Sequence, residues 1–456
     1  MLGGSPYQGY LYAYPHKTAY RPLRPRPALR DVWSAEPRDS LFLYVHIPFC
    51  EMRCGFCNLF TRSNPPAEQA ASYLRQLRVQ TEVVASSLGP VTFSRAAIGG
   101  GTPTFLTADE LATLFSFLPP LKTVPLSVET SPATATPDRL EVLAAQGTWR
   151  VSIGVQSFLD AEAHAAGRPQ RRFEVDRALQ AIRDSGFPVM NLDLIYGIPG
   201  QTAGTWAESL RAALAWQPEE IYLYPLYVRP LTGLSKRHAA GPDREWDTQR
   251  LGLYRQGRDL LWDNGYQQLS MRHFRHSNAP DPSRSRNLPG NDPLGRRSRG
   301  LLPGKLRDLG PDYCCQDDGM VGLGCGARSY TRALHYSFDY AVGVGQVRGI
   351  IDDYLARPGD DFAFAEYGFA LDESEQRLRW LVKSLLRVEG LDLAAYAARF
   401  GEPPGHDLAP LLERGWAVYL RGRLILTEEG LAHSDAIGPW LVSGAVREMM
   451  ASAEPR

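Results

Sequence analysis

Three features are scarce in this chain. No stretch approaches ~18 consecutive apolar residues, so no membrane-spanning helix is expected. Lysine is rare, only Lys17, Lys122, Lys236, Lys305 and Lys383 among 50 basic residues, and the Arg excess reads mostly as codon bias. Net charge is absent, with 50 basic residues against 50 acidic ones. That balance argues against a generally basic nucleic-acid binder, and a 22% charged fraction with 10% aromatics argues against a disordered chain. The first thirty residues lack the charged-then-apolar plan of a secretory signal and are rich in Tyr, Pro and Arg, so the expected location is cytoplasmic. Cysteine is sparse and uneven: Cys50, Cys54 and Cys57 fall within eight residues, and Cys314, Cys315 and Cys325 come much later. In a reducing compartment, clustered thiols are metal ligands or catalytic groups more often than disulfides.

What is abundant is alternation. The chain has 456 residues, 44% of them hydrophobic, enough for one large domain and one or two small ones. Apolar periodicity predicts strands at 41–47, 96–99, 126–130, 151–155, 189–195 and 221–226, with helices at 70–88, 108–118, 137–145, 173–185 and 205–215 between them. Alternating strand and helix implies an α/β fold with a parallel sheet, wound either as an open doubly wound sheet or as a barrel. The rhythm breaks from Met271. Residues 279–311 are dense in Pro, Gly, Ser and Arg, and residues 272–307 carry a net charge of +7, which together read as a long flexible basic insertion. From residue 371, helices at 373–387, 392–400 and 408–414 and a hairpin over 416–427 suggest a winged-helix-like module. Its net charge of −3 argues against DNA reading. The expected division is a strap at 1–40, a core barrel at 41–270, the insertion at 271–312, a post-barrel segment at 313–370 and the C-terminal module at 371–456.

The central motif is Cys50-Glu-Met-Arg-Cys54-Gly-Phe-Cys57, directly after the first strand. Iron–sulfur clusters take thiolates and normally use four of them. This loop supplies three, so a [4Fe–4S] cube would keep one iron open to a small molecule. Spacing alone leaves a structural zinc open as well, with His46 as its fourth ligand.

CxxxCxxC after a first barrel strand resembles the radical S-adenosylmethionine (SAM) superfamily. Further motifs are similar to its subfamily of oxygen-independent coproporphyrinogen III oxidases and their relatives. These are YVHIPFC (44–50), GGGTPTFL (99–106), RVSIGVQSF (150–158), GRPQ (167–170), NLDLIYGIPGQT (191–202) and GLGCGARSY (322–330). The resemblance implies a partial, TIM-like barrel of about six β/α units with its site at the strands' C-terminal face. It also implies a cluster that reduces SAM to methionine and a 5′-deoxyadenosyl radical, which abstracts hydrogen. Carried over by position, Cys50, Cys54 and Cys57 become the cluster ligands and Tyr44 lies beside cluster and SAM. Gly100, Gly101 and Thr102 contact the methionine part, and Glu129, Gln156, Arg168 and Asp193 supply polar SAM contacts. A small-molecule substrate and an electron donor such as flavodoxin or ferredoxin are the implied partners, with neither nucleic acid nor membrane among them.

The chain also departs from its relatives. The oxidases carry a further cysteine two places after the third, where this chain has Leu59; the related heme chaperones carry His-Asn and Trp before the GLG motif, where this chain reads Gly310-Pro-Asp-Tyr313-Cys314-Cys315. The reading is therefore a radical SAM, coproporphyrinogen-oxidase-like enzyme, with a tetrapyrrole propionate as one candidate substrate. A heme-binding chaperone and a two-SAM methyltransferase stand as alternatives. Cys314, Cys315 and Cys325 read as buried small residues in preference to a second ligand set. The aromatic stretch from Tyr7 to Tyr20, which includes His16 and Lys17, reads as a strap that either packs or grips a carboxylated planar substrate across the barrel mouth.

Overall fold

The computed structural model describes residues 2–236, 243–281 and 319–453. Six parallel strands run β1 (Leu41–Ile47), β2 (Phe93–Gly100), β3 (Leu126–Thr130), β4 (Thr148–Gln156), β5 (Val189–Tyr196) and β6 (Glu220–Pro225). They lie side by side in chain order. An order that never reverses is that of a β/α barrel, whereas a doubly wound sheet has a switch point. Helices α1 (Ala67–Leu88), α2 (Ala108–Phe117), α3 (Pro137–Ala145), α4 (Arg172–Asp184) and α5 (Ala203–Ala215) occupy the crossovers. The expected stripe of Val175, Ala178, Leu179 and Ile182 on α4 is buried against the sheet. Thr107 caps α2 by accepting from the Glu110 N–H, while the Glu110 carboxylate accepts from the Thr107 N–H.

Strand alternation sorts the two faces. On β4, Val151, Ile153 and Val155 are fully buried under the helices, and the intervening residues turn to the opposite, polar face. That polar inner face explains where prediction fell short. Strands β2 and β4 each begin three residues earlier than apolar periodicity indicates, because they start in residues such as Arg95 and Arg150 that break the apolar run. Arg150 is buried, donating to Glu220 on β6 at 2.7 Å and to Ser127 on β3 at 2.9 Å.

The sheet is also wider than six strands. On one edge β7 (His273–His276) runs antiparallel to β6, so the polar segment does not leave the fold at Met271. His273 and Arg275 read as solvated charge in sequence, yet they reach Glu220 at 3.5 and 3.8 Å. The remainder of the basic insertion, with Cys314 and Cys315, lies outside the described residues. On the other edge β8 (Met320–Leu323), within the GLGCGARSY region, pairs parallel with β1 in the register Met320↔Phe42 to Leu323↔Val45. Antiparallel strands Arg328–Tyr330, Leu334–Ser337 and Tyr367–Ala370 follow it.

The expected C-terminal pattern is present. Asp372 caps helix Glu373–Leu385, Gly401 in the left-handed region ends Leu393–Phe400, and strands Ala417–Leu420 and Arg423–Leu426 form the hairpin. Leu381, Leu385, Leu411, Leu424 and Ile437 build its core together with Leu11 and Tyr14 from the N-terminal stretch. Among the described residues, no helix is long and apolar enough to cross a membrane.

Burial raises the proton affinity of Glu220, but Arg150 and His273 outweigh it and hold the carboxyl down at about 2. A depressed carboxyl stabilises the fold fully above its unfolded value of 4.5 and loses that contribution as pH falls toward 2. Wild-type urea midpoints should therefore fall across that window, and Glu220→Gln should flatten the dependence. Arg150→Met leaves Glu220 buried and uncompensated and should cost about 3–5 kcal/mol; a loss under 1 kcal/mol would contradict the pairing.

Candidate functional site

The three clustered cysteines sit on the loop between β1 and α1, and two neighbouring loops clamp that loop through its backbone. The Gly55 N–H donates to Gly167 O at 3.0 Å, and the Leu234 N–H donates to Gly55 O at 2.8 Å. A Cβ at Gly55 would stand 2.8 Å from Ala166 O, so only glycine allows this approach. Cys50, Cys54 and Cys57 are free, half-buried thiols close enough for each to bear on the others electrostatically. Each sulfur has a polar neighbour: Thr102 Oγ1 at 3.5 Å from Cys50, Arg168 Nη1 at 3.6 Å from Cys54 and Thr61 Oγ1 at 3.9 Å from Cys57. Burial pushes the Cys50 thiol up to about 12 and raises that of Cys54 against the pull of Arg168. Iron binding displaces those protons.

The other expected site residues gather round this loop. The Gly101 N–H donates to Ile47 O at 2.8 Å and the Thr102 N–H to Phe49 O at 2.7 Å, stitching the glycine run to the strand that leads into Cys50. A Cβ on Gly101 would stand 2.4 Å from Phe49 O. Glu129 on β3 has an accessible side chain although it is surrounded by the strands of the sheet, and it accepts from the Gly100 N–H at 3.2 Å. Burial, then Asp193, pushes its carboxyl up to about 7, against the Gly100 N–H and Arg150. Asp193 on β5 accepts from Asn191 at 2.8 Å and Ser152 at 3.5 Å. Burial raises its carboxyl, and Arg150 is the largest opposing influence. Gln156 ends β4 at a bulge, with φ of 68°. Arg168 is fixed by a 2.7 Å bond from its Nε to Gln170. Tyr44 is half-buried on β1, its hydroxyl 3.3 Å from His46 Nδ1.

His46 is the residue whose role the sequence did not reveal. Its ring is buried, and its Nε2 lies 3.0 Å from Phe60 O. A carbonyl only accepts, so Nε2 carries the proton and Nδ1 accepts from Tyr44. Both nitrogens are engaged by the protein, which removes His46 as a fourth zinc ligand. A Cβ on Gly100 or Gly326 would stand 2.4 or 2.3 Å from the ring. Its place two residues before Pro48-Phe49-Cys50 gave no hint of such packing. Cys325 is buried, with burial pushing its thiol up to about 12, and it lies against the Tyr73 hydroxyl.

Among the described residues, no group of three His, Cys, Asp or Glu side chains closes on one ion position. A four-iron cube does not ask for that, since each iron takes its own thiolate. Three sulfurs from one clamped loop, each with a hydrogen-bonding neighbour, suit such a cluster.

The family model described as the radical SAM superfamily matches residues 44–213. Oxygen-independent coproporphyrinogen III oxidase of Paracoccus denitrificans is 33% identical over 271 residues, covering 58% of this chain and 59% of that one. Heme chaperone HemW of Haemophilus influenzae is 29% identical over 238 residues, covering 50% and 61%. The chain thus spans about three fifths of the length of these curated relatives. The solved structure of coproporphyrinogen III oxidase (HemN) from Escherichia coli superposes with a TM-score of 0.72 over 91% of this chain and 92% of that one, at 24% identity, and so shares the fold. The barrel order, the clamped cysteine loop and these relatives agree in supporting the HemN/HemW-like radical SAM proteins as this chain's kin, a likeness that implies a [4Fe–4S] cluster and SAM as cofactors.

Proposed function

We propose that this chain is a radical SAM enzyme that removes hydrogen from a carboxylate-bearing organic substrate of the tetrapyrrole class, and that Cys50, Cys54 and Cys57 hold its cluster. The observation that carries this reading is the clamped loop, which presents three thiols to a polar lumen lined by Glu129, Arg168 and Asp193. Cys50, Cys54 and Cys57 would hold the cluster, which with SAM would supply one-electron reduction and hydrogen-atom abstraction at this site.

The protein's part is positioning and charge. Gly100 and Gly101 let the backbone after β2 close on the His46 ring and on Phe49 O, which brings that backbone beside Cys50. Arg168, already beside Cys54, suits the methionine carboxylate. Among the described residues no cation pairs with Glu129 within 4.0 Å, so the amino group of SAM is its natural complement, and Asp193 suits ribose hydroxyls because Asn191 and Ser152 fix its orientation. Tyr44 and Gln156 border the same lumen. A small electron-transfer protein such as flavodoxin or ferredoxin serves as the reductant. The heme chaperone reading rests on the HemW likeness, and the missing His-Asn and Trp before the GLG motif weigh against it.

Anaerobically reconstituted, reduced wild type should bind iron and form 5′-deoxyadenosine from SAM, with no Soret shift on adding heme. Cys54→Ala should lose most of its iron and lower 5′-deoxyadenosine formation by at least ~100-fold, equivalent to about 2.7 kcal/mol in the activation barrier. Unchanged iron and product in that variant would sink the cluster assignment, and a Soret shift without SAM cleavage would favour the chaperone. Gly101→Ala forces Phe49 away from its contact and should cost about 1–3 kcal/mol. It should lower iron retention while far-ultraviolet circular dichroism stays native.

A further inference from the structure

The chemistry above leaves a group of cations unused. The N-terminal stretch carries His16 and Lys17, the turn after β8 leads to Arg328, and the segment after β6 carries Arg229. Lys17 Nζ stands 3.2 Å from the centroid of the Tyr340 ring, and the Tyr340 hydroxyl donates to Asn58 O at 2.9 Å, one residue after Cys57. Arg328 Nη1 donates to the Tyr12 hydroxyl at 3.0 Å, and His16 packs edge-on against the Tyr12 ring at 5.6 Å. The Arg229 guanidinium lies over Tyr227 at 4.3 Å. These groups sense one another: Arg328 bears on both Lys17 and His16, Arg229 and Lys17 bear on His16, and Cys57 bears on Lys17.

Among the described residues no carboxylate pairs with Lys17 or Arg229 within 4.0 Å. Burial, then mutual repulsion, lowers the proton affinity of both Lys17 and His16 well below ordinary values. Half-buried basic groups crowded in this way, with no carboxylate beside Lys17 among the described residues, favour an anion that completes the site and restores their charge. The aromatic faces of Tyr12 and Tyr340 are part of the same surface, and both rings are half-buried rather than packed away. Sequence distance hides the grouping, since the N-terminal stretch joins the sheet by pairing Arg21 and Pro22 with Gly368 and Tyr367, on the same edge that carries Arg328.

We propose that Lys17, Arg328 and Arg229, with His16 beside them, form a cradle for a substrate carboxylate next to the cysteine loop, with Tyr12 and Tyr340 as its apolar walls. The assignment rests on the cysteine loop being the reaction centre. Carboxylate is the chemistry the cradle reads, and it has two sources at this site, the substrate and the methionine end of SAM.

The test uses the full-length, cluster-loaded protein under anaerobic conditions. The probes are coproporphyrin III, which carries four carboxylates, its uncharged tetramethyl ester, and SAM. Lys17→Met/Arg328→Met should bind the free acid at least ~10-fold more weakly than wild type, with ester affinity and SAM affinity each within twofold. Lys17→Arg should retain free-acid binding, which separates loss of charge from loss of fold, and circular dichroism should match across the set. Equal free-acid affinity in wild type and double variant, or no preference of the wild type for acid over ester, overturns the cradle. A fall in SAM affinity with free-acid binding unmoved overturns it as well, because the cations then serve SAM. Iron content and 5′-deoxyadenosine formation of the wild type are measured in parallel. Their absence defeats the enzyme reading, whereas their presence together with equal porphyrin affinities defeats the cradle alone.

Discussion

The site depends on where one imidazole ring is placed. His46 points from β1 into a space bounded by Gly100, Gly326 and Phe60, and its own carbonyl accepts a 2.8 Å hydrogen bond from Tyr73. A buried polar ring is tolerated only when both nitrogens are satisfied, and here the Phe60 carbonyl and the Tyr44 hydroxyl do this. Burial lowers its proton affinity to about 4, so the ring stays neutral and keeps one tautomer through the physiological range. Three motifs that are far apart in sequence thereby become one object. The glycine run after β2, the turn after β8 and the chain leaving Cys57 all fold against the same ring, and two of them need glycine because the ring occupies the volume of a side chain.

The inner face of the sheet poses a second problem, since it gathers Glu129, Asp193 and Glu220 within one enclosure. Arg150 answers most of it by bonding Glu220 and Ser127 while bearing on Glu129 and Asp193. The same device recurs at the mouth. Asp435, from helix Ser434–Leu441, is buried and accepts from both Arg272 and the Tyr227 hydroxyl. Tyr10 lies over the Arg272 guanidinium at 3.7 Å, and the Gly9 N–H donates to Asp435 O at 3.1 Å. Buried ion pairs contribute little net stability, yet breaking them is expensive, so they fix register between elements that apolar packing alone would leave free to slide. Barrel, N-terminal stretch and C-terminal helices are tied by this one cluster.

Much of the fold was legible because apolar periodicity reports helix-facing residues directly. All six barrel strands and their crossover helices are found, and the errors lie at element ends, as at Arg95 and Arg150 on the strands and at Ala67 and Ala203 on the helices. Strand β8 was missed because Met-Val-Gly-Leu is too short and glycine-rich to signal, and β7 because His273 and Arg275 look solvated until Glu220 is seen beside them. The cysteines were legible because their chemistry is restrictive and their spacing local. His46 was seen, but in the wrong role: a histidine near cysteines suggests a ligand, and only its contacts reveal a packing group. Cys325 went the other way, a cysteine whose surroundings make it a buried small residue.

Charge is where sequence and space diverge most. The chain is neutral overall, and a sum over residues carries no information about position. In the folded protein the acids Glu129 and Asp193 lie on β3 and β5, while Lys17, His16, Arg328 and Arg229 come from the strap and from segments that follow strands. The two sets therefore lie on different walls beside the same loop of thiols. Complementary potentials sort ligands before contact is made and penalise the wrong one by like-charge repulsion. If the proposed subsites hold, a ligand with a cationic centre is drawn to the acids and a carboxylate to the strap, so two ligands of unlike charge need not compete for one subsite. That division requires the strap to be anchored, and the bond from Tyr14 to Glu375 and the pairing of Arg21 with the Met449 carbonyl at 2.6 Å hold its two ends. The anchoring also accounts for the C-terminal helices: they contribute no thiol and no lumen acid, and they fix the segment that carries the cations.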